Sequence, residues 1–130
     1  MNTFKKEERL CSKKSLDLLF KNGSSFLVYP FRITYFFIDE PHEYPAHVVI
    51  NVAKKRYKRA VDRNLIKRRT REAYRVQKEA LLYSHLQSQS LLLISLQFIG
   101  KEKYAYDFFE RKLGLALKKL TSQINPDEVH

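Results

Sequence analysis

The chain has 130 residues, 44% hydrophobic and 13% aromatic, which suffices for one packed domain and excludes a disordered basic tail. Twenty-five Lys and Arg against 14 Asp and Glu give a formal charge of +11 and an isoelectric point near 9.8, a field that attracts nucleic acid or anionic lipid but says little about fold. Cys11 is the single cysteine, so an intramolecular disulfide and a cysteine-based zinc site are excluded.

The opening MNTFKKEERL holds no apolar core of signal-peptide length. LLLISLQFI at 91–99 is the longest apolar run and is too short to span a bilayer, so a reducing, cytoplasmic setting is expected. Ser12 is placed to cap a helix running to Asn22, with Gly23 as its stop. Residues 26–38, FLVYPFRITYFFI, are rich in aromatic and β-branched types, and Pro30 divides them into two strands or bends one edge strand. In the second, Phe31, Ile33, Tyr35 and Phe37 form one row and Arg32, Thr34, Phe36 and Ile38 the other. DEPHEYP at 39–45 is a turn-rich connection to a third strand, HVVINVA at 47–53. A helix from about 59 to 83 follows, then a buried strand at 91–98. Phe109, Leu113, Ala116, Leu117 and Leu120 mark an amphipathic helix over 104–123. The predicted order is αβββαβα, a single-domain α/β sandwich over residues 1–130 with one sheet and a frayed end at 123–130.

KRAVDRNLIKRRTREAYR, at 58–75, carries eight basic residues opposed only by Asp62 and Glu72. On a helix, Arg63, Lys67, Arg71 and Arg75 recur every fourth residue and form a basic ladder, with Asn64, Arg68 and Lys78 beside it. Leu65, Ile66, Ala73, Val76 and Ala80 lie opposite and are expected to meet the sheet; Arg69 falls among them and is expected to snorkel outward. Each like-charged i, i+4 pair costs an isolated helix roughly 0.2–0.5 kcal/mol. An ordinary wet face mixes Glu with Lys, whereas this one is arginine-rich and single-signed, which suits phosphates gripped by planar guanidinium forks. AKKRYK at 53–58 adds Lys54, Lys55 and Lys58 just before the helix N-terminus, another place that favours anions.

The order of these residues resembles the signature of the bacterial ribonuclease P protein subunit. That signature is a strand ending in two basic residues, then Ala-Val-x-Arg-Asn-x-x-Lys-Arg-x-x-Arg-Glu, matched without a gap by Ala60, Val61, Arg63, Asn64, Lys67, Arg68, Arg71 and Glu72. RLCSKKSLDLLFKNG at 9–23 is similar to the family's first helix, ending in Phe20, Lys21 and Gly23. The resemblance implies one mixed sheet with a left-handed crossover from the third strand through the basic helix to the fourth, against the usual right-handed rule. It also implies that an RNA subunit performs Mg²⁺-dependent removal of the 5′ leader from precursor tRNA, with the polypeptide binding both RNAs. Carried over by position, Arg63, Asn64, Lys67, Arg68 and Arg71 contact the catalytic RNA, Arg75 joins them through the ladder, and Lys54, Lys55 and Lys58 hold RNA near the cleavage region. A cleft between the first helix and the sheet takes the leader, with Phe20, Thr34, Phe36 and Asn51 at matching positions and Leu16 where the family often has Phe. The chain departs from the family in three places. The 56–59 loop is one residue longer, Tyr57 replaces a frequent Gly, and Ala53 replaces a usual Ser.

A stand-alone nuclease would need organised carboxylates or histidines. Asp39, Glu40 and Glu43 lack such spacing, and His42, His47, His85 and His130 form no ligand pattern. Neither a catalytic residue nor a metal ligand is therefore expected on the polypeptide, and Mg²⁺ is expected through the RNA. A structural RNA-binding protein of ribosomal type is the second reading, which only the ordered signature separates from the first. A DNA-binding module lacks a partner helix in helix-turn-helix relation, a membrane role would need an apolar helix face that the sheet already takes, and no obligate protein partner is implied.

Overall fold

The computed structural model describes residues 8–10, 12–39, 43–86 and 90–124. Cys11, Glu40, His42, His130 and the rest of the 125–130 tail lie outside the described residues. Helix α1 spans Lys13–Asn22 and is capped as its sequence predicts, the Ser12 hydroxyl accepting the Ser15 N–H at 3.3 Å. Gly23 ends it for a different reason from the one expected. Its backbone is extended, not left-handed. A Cβ there would lie 2.4 Å from the Leu19 carbonyl oxygen and 2.9 Å from that of Tyr35. Glycine is thus required by close approach of two backbones, and Gly23→Ala is expected to cost about 1–3 kcal/mol in chemical denaturation, as overpacked sites do.

Strands β1 (Ser24–Val28) and β2 (Phe31–Ile38) pair antiparallel across the Tyr29–Pro30 turn, whose peptide bond is cis. β3 (Ala46–Val52), α2 (Ala60–Leu81), a short 3-10 turn (Tyr83–His85), β4 (Leu91–Phe98) and α3 (Tyr106–Ile124) complete the predicted order. α3 thus takes in two residues assigned to the frayed end. The sheet runs β1-β2-β4-β3, with β4 antiparallel to β2 and parallel to β3. β4 is central, which is why its sequence is an almost continuous apolar run rather than an alternating one.

α2 and α3 cover one face of the sheet. The five apolar residues read from α3 are all buried, and Phe109 stacks on Phe98 at 5.3 Å with Phe31 edge-on to both. On the other face α1 seats Leu19 among Leu10, Leu91 and Leu93, with Leu16, Phe36 and Ile38 packed around them. Leu10 reaches this cluster on a short N-terminal strap. Its amide donates to the Val48 carbonyl at 2.8 Å, and Arg9 bridges Val48 in parallel sense on the outer edge of β3.

The inward face of α2 differs from the one its apolar residues predict. Ile66, Thr70, Ala73, Tyr74 and Lys78 are buried, while Ala80 is exposed and Leu65 and Val76 are only half-buried. Lys78, expected beside the basic ladder, is 1% exposed and ion-paired with Glu8, itself 1% exposed. The Tyr83 hydroxyl donates to the same carboxylate. A hydrophobicity count misplaces this face because Tyr74 and Lys78 bury long apolar bodies, and the Lys78 ammonium finds its partner in Glu8.

Candidate RNA interface

The loop between β3 and α2 is built on one carbonyl and one ring. Ala53 O accepts the N–H groups of Arg56 and Tyr57, each at 3.2 Å, closing a turn that leaves Lys54, Lys55 and Lys58 exposed. Tyr57 turns inward, 9% exposed, with its ring centroid 6.1 Å from that of Phe98 and its hydroxyl donating to Gly100 O at 2.9 Å. Burial raises the pKa of this phenol above its ordinary value. The residue standing where the family often has Gly therefore anchors the longer loop in the core. Tyr57→Phe is expected to cost about 0.5–1.5 kcal/mol in denaturant titration, the net worth of one buried hydrogen bond.

The ladder on α2 is not one solvent-facing stripe. A step of four residues overshoots a 3.6-residue turn by about 40°, so Arg63 and Arg75 end up on different sides of the helix. Arg63 turns back and donates to the carbonyls of Tyr57 and Lys58, both at 2.8 Å, which fixes the loop instead of reaching solvent. Lys67 and Arg71 form a half-buried shoulder over the edge of β3, where they line a cavity with Arg9, Leu10, Val48, Val49 and Ile50. Arg75 donates through Nε to Glu72 at 3.0 Å. Asn64 and Arg68 occupy the exposed crest, in line with Val61, 59% exposed, and Glu72. Arg69 does not reach outward into solvent; it is half-buried and donates to the carbonyl oxygens of Lys103 and Tyr104.

Neither acid of the segment quenches Arg68. Asp62 accepts from Lys103 at 2.9 Å, and that bond holds its carboxyl below the ordinary range. Glu72 is held low by Arg75. Both are satisfied by a partner other than Arg68, so the crest keeps its positive sign.

The second candidate region lies on the α1 side of the sheet. Residues in register share a face, so Arg32, Gln97 and Asn51 form a polar row across β2, β4 and β3. Thr34, Ser95 and Val49 form the next row, and Phe36, Leu93 and His47 the one after. α1 packs on the Phe36 end, which places Leu16 and Phe36 in the small apolar cluster beneath it. Thr34 is half-buried, its hydroxyl 2.9 Å from that of Ser25. Phe20, 56% exposed, and Asn51 stand open to solvent. The structure thus unites Leu16 with Phe36, and sets Asn51 one row away from Thr34 at the far edge. Arg32 and Gln97 were missed because a strand's polar row reads as plain solvent exposure until its neighbours in the sheet are known. Among the described residues no three His, Cys, Asp or Glu side chains come together in a group able to hold a metal, and no helix is long and apolar enough to cross a membrane.

One mixed sheet, a basic helix in its parallel crossover and polar rows on the sheet face that carries the first helix define an α/β fold shared with solved bacterial proteins. The RNase P protein of Staphylococcus aureus superposes with a TM-score of 0.64 at 24% identity, covering 88% of this chain and 96% of that one. That of Thermotoga maritima gives 0.62 at 24%, covering 86% and 96%. Residues 4–121 match the family Ribonuclease P. The Ribonuclease P protein components of two Porphyromonas gingivalis strains, ATCC 33277 and W83, are each 32% identical over 119 residues, 92% of this chain and 87% of theirs. The chain belongs to the ribonuclease P protein family.

Proposed function

We propose that this protein is the subunit that helps a catalytic RNA remove the 5′ leader of precursor tRNA. The observation that carries the reading is the unquenched crest of α2, where the exposed Asn64 and Arg68 of the family signature stand beside the Lys67 and Arg71 shoulder. In this reading the crest, the shoulder and the lysines of the 53–59 loop grip the catalytic RNA, while Arg63 holds the loop and crest in register. The groove between α1 and the polar rows takes the single-stranded leader, with Phe20 offering a ring for base stacking and Thr34 and Asn51 offering hydrogen bonds. Phe36 and Leu16 serve as its apolar floor, not as stacking platforms.

In this reading Mg²⁺ is held by the RNA, which carries the hydrolysis, and no step is assigned to a metal on this chain. The polypeptide alone is expected to be inactive and to work in the cytoplasm. The test is reconstitution: the protein, the catalytic RNA of the same bacterium and a precursor tRNA are mixed at low Mg²⁺, and leader removal is scored. Cleavage well above that of RNA alone is expected. Equal rates would refute the proposal.

A further inference from the structure

Strand β1 ends the sheet, and among the described residues no backbone group pairs with its outer edge. Strand alternation decides which groups stand there. Pro30 O accepts the Ile99 N–H at 2.8 Å, so even-numbered residues of β2 turn their backbone groups toward β4 and odd-numbered ones toward β1. Ser25 and Leu27 oppose the even-numbered Thr34 and Arg32, and therefore hold their N–H and C=O groups outward. Exposed edges are normally blunted by a lysine, a proline or a bulge. The β1 segment SSFLV carries no charge and no proline, its register with β2 is unbroken, and Leu27 stays 50% exposed.

Both flanks of this edge are positive. On the α1 side of the sheet the exposed Arg32 shares a face with Leu27, and it is the sole charged residue between positions 24 and 38. On the other side α3 packs over β1, with Lys119 Nζ 5.2 Å from the centre of the Phe26 ring. From 111 to 124 that helix carries Arg111, Lys112, Lys118 and Lys119 and no acid.

We propose that the outer edge of β1 docks an extended, acidic segment of a protein partner, which joins the four-stranded sheet as a further strand. Two outward residues offer too few hydrogen bonds to hold a strand alone, so carboxylates meeting Arg32 and Lys119 supply the rest. A second copy of this chain would set the same cations against each other and bring +11 against +11, which disfavours it. An RNA strand would satisfy the cations, but its phosphates cannot donate to the outward carbonyls. The edge is separate from the α2 crest, so the proposal does not depend on how that helix is used.

The isotope-labelled full chain is titrated with a short capped peptide of alternating Val and Glu, while amide resonances and hydrogen exchange are followed. The Ser25 and Leu27 amides are expected to shift and to gain protection. Leu27→Pro removes one outward donor where an edge strand tolerates proline. It is expected to bind the peptide about tenfold more weakly, whereas Leu27→Ala, which keeps the donor, stays within about threefold of the parent. Lys119→Gln is expected to weaken binding and flatten its salt dependence. Lys13→Gln, an equal charge loss at the far end of α1, is expected to change neither. A peptide with Lys in place of Glu is expected not to bind. Absence of any shift, equal binding of the two peptides, or binding that Leu27→Pro and Lys119→Gln both leave intact would overturn the proposal. If Leu27→Pro does not fold, Lys119→Gln and the Lys peptide decide. Shifts at Ser25 and Leu27 with polyuridylate but not with the acidic peptide would assign the edge to RNA instead. A dimer in sedimentation with β1 amides protected in the absence of peptide would assign it to a second copy. Either result overturns the proposal.

Discussion

Arg68→Ala is expected to weaken binding of the catalytic RNA by about 10- to 100-fold, the worth of a charge-assisted hydrogen bond that is lost whole. Arg68 is exposed on the crest and makes no ion pair or side-chain hydrogen bond among the described residues, so its removal leaves folding within about 0.5 kcal/mol of the parent. Loss of one phosphate contact also lowers the dependence of log affinity on log salt by about 0.7–0.9, which separates a lost contact from a misfolded surface. Arg68→Lys keeps the charge and the salt slope but loses the planar fork, and is expected to fall between parent and alanine. Arg63→Ala behaves differently. Its guanidinium holds two loop carbonyls, so that variant loses stability as well as affinity. Filter binding or fluorescence anisotropy across a salt series reads these outcomes. An Arg68→Ala protein with the parent's affinity and slope would remove the crest from the interface.

The contrast between Arg68 and Arg63 shows what a sequence can convey. Elements with long patterns were legible: α3 from its five apolar positions, β4 from its nearly continuous apolar run, α1 from Ser12 and the glycine after Asn22. A break at Pro30 was legible because proline cannot join a central ladder, while its parting of two strands instead of bending one came from the β1-β2 pairing. Direction within a helix was less so. A four-residue repeat looks like a stripe on paper, yet it drifts around the cylinder, and only a sheet in place decides which members meet solvent. Arg63 and Arg68 have the same chemistry and lie five residues apart. One became a brace for the Tyr57 loop and the other the crest. Tyr57 was read as a departure from the family pattern, since nothing local announces that its hydroxyl finds Gly100, forty-three residues onward. The groove was half legible for a similar reason: Thr34 and Asn51 came from resemblance, while their neighbours Arg32 and Gln97 needed the β2-β4-β3 register.

The largest effect on stability is expected at Lys78, a residue that charge counting assigns to the surface. Lys78 and Glu8 are each 1% exposed and paired, seventy residues apart, and Tyr83 adds a hydrogen bond to the carboxylate. Lys78→Ala leaves that carboxylate buried without its counter-charge, and breaking such a pair from one side costs about 3–5 kcal/mol. Glu8→Gln strands the ammonium in the same way and is expected to cost a similar amount. Replacing both, Lys78→Met with Glu8→Leu, removes the charges and their desolvation together, and is expected to be near neutral or stabilising by about 1–4 kcal/mol. A double-mutant cycle in chemical denaturation measures the coupling. If either single variant unfolds with the parent's midpoint, the pair does not hold the strap. If the double variant is as damaged as the singles, packing and not charge governs the site.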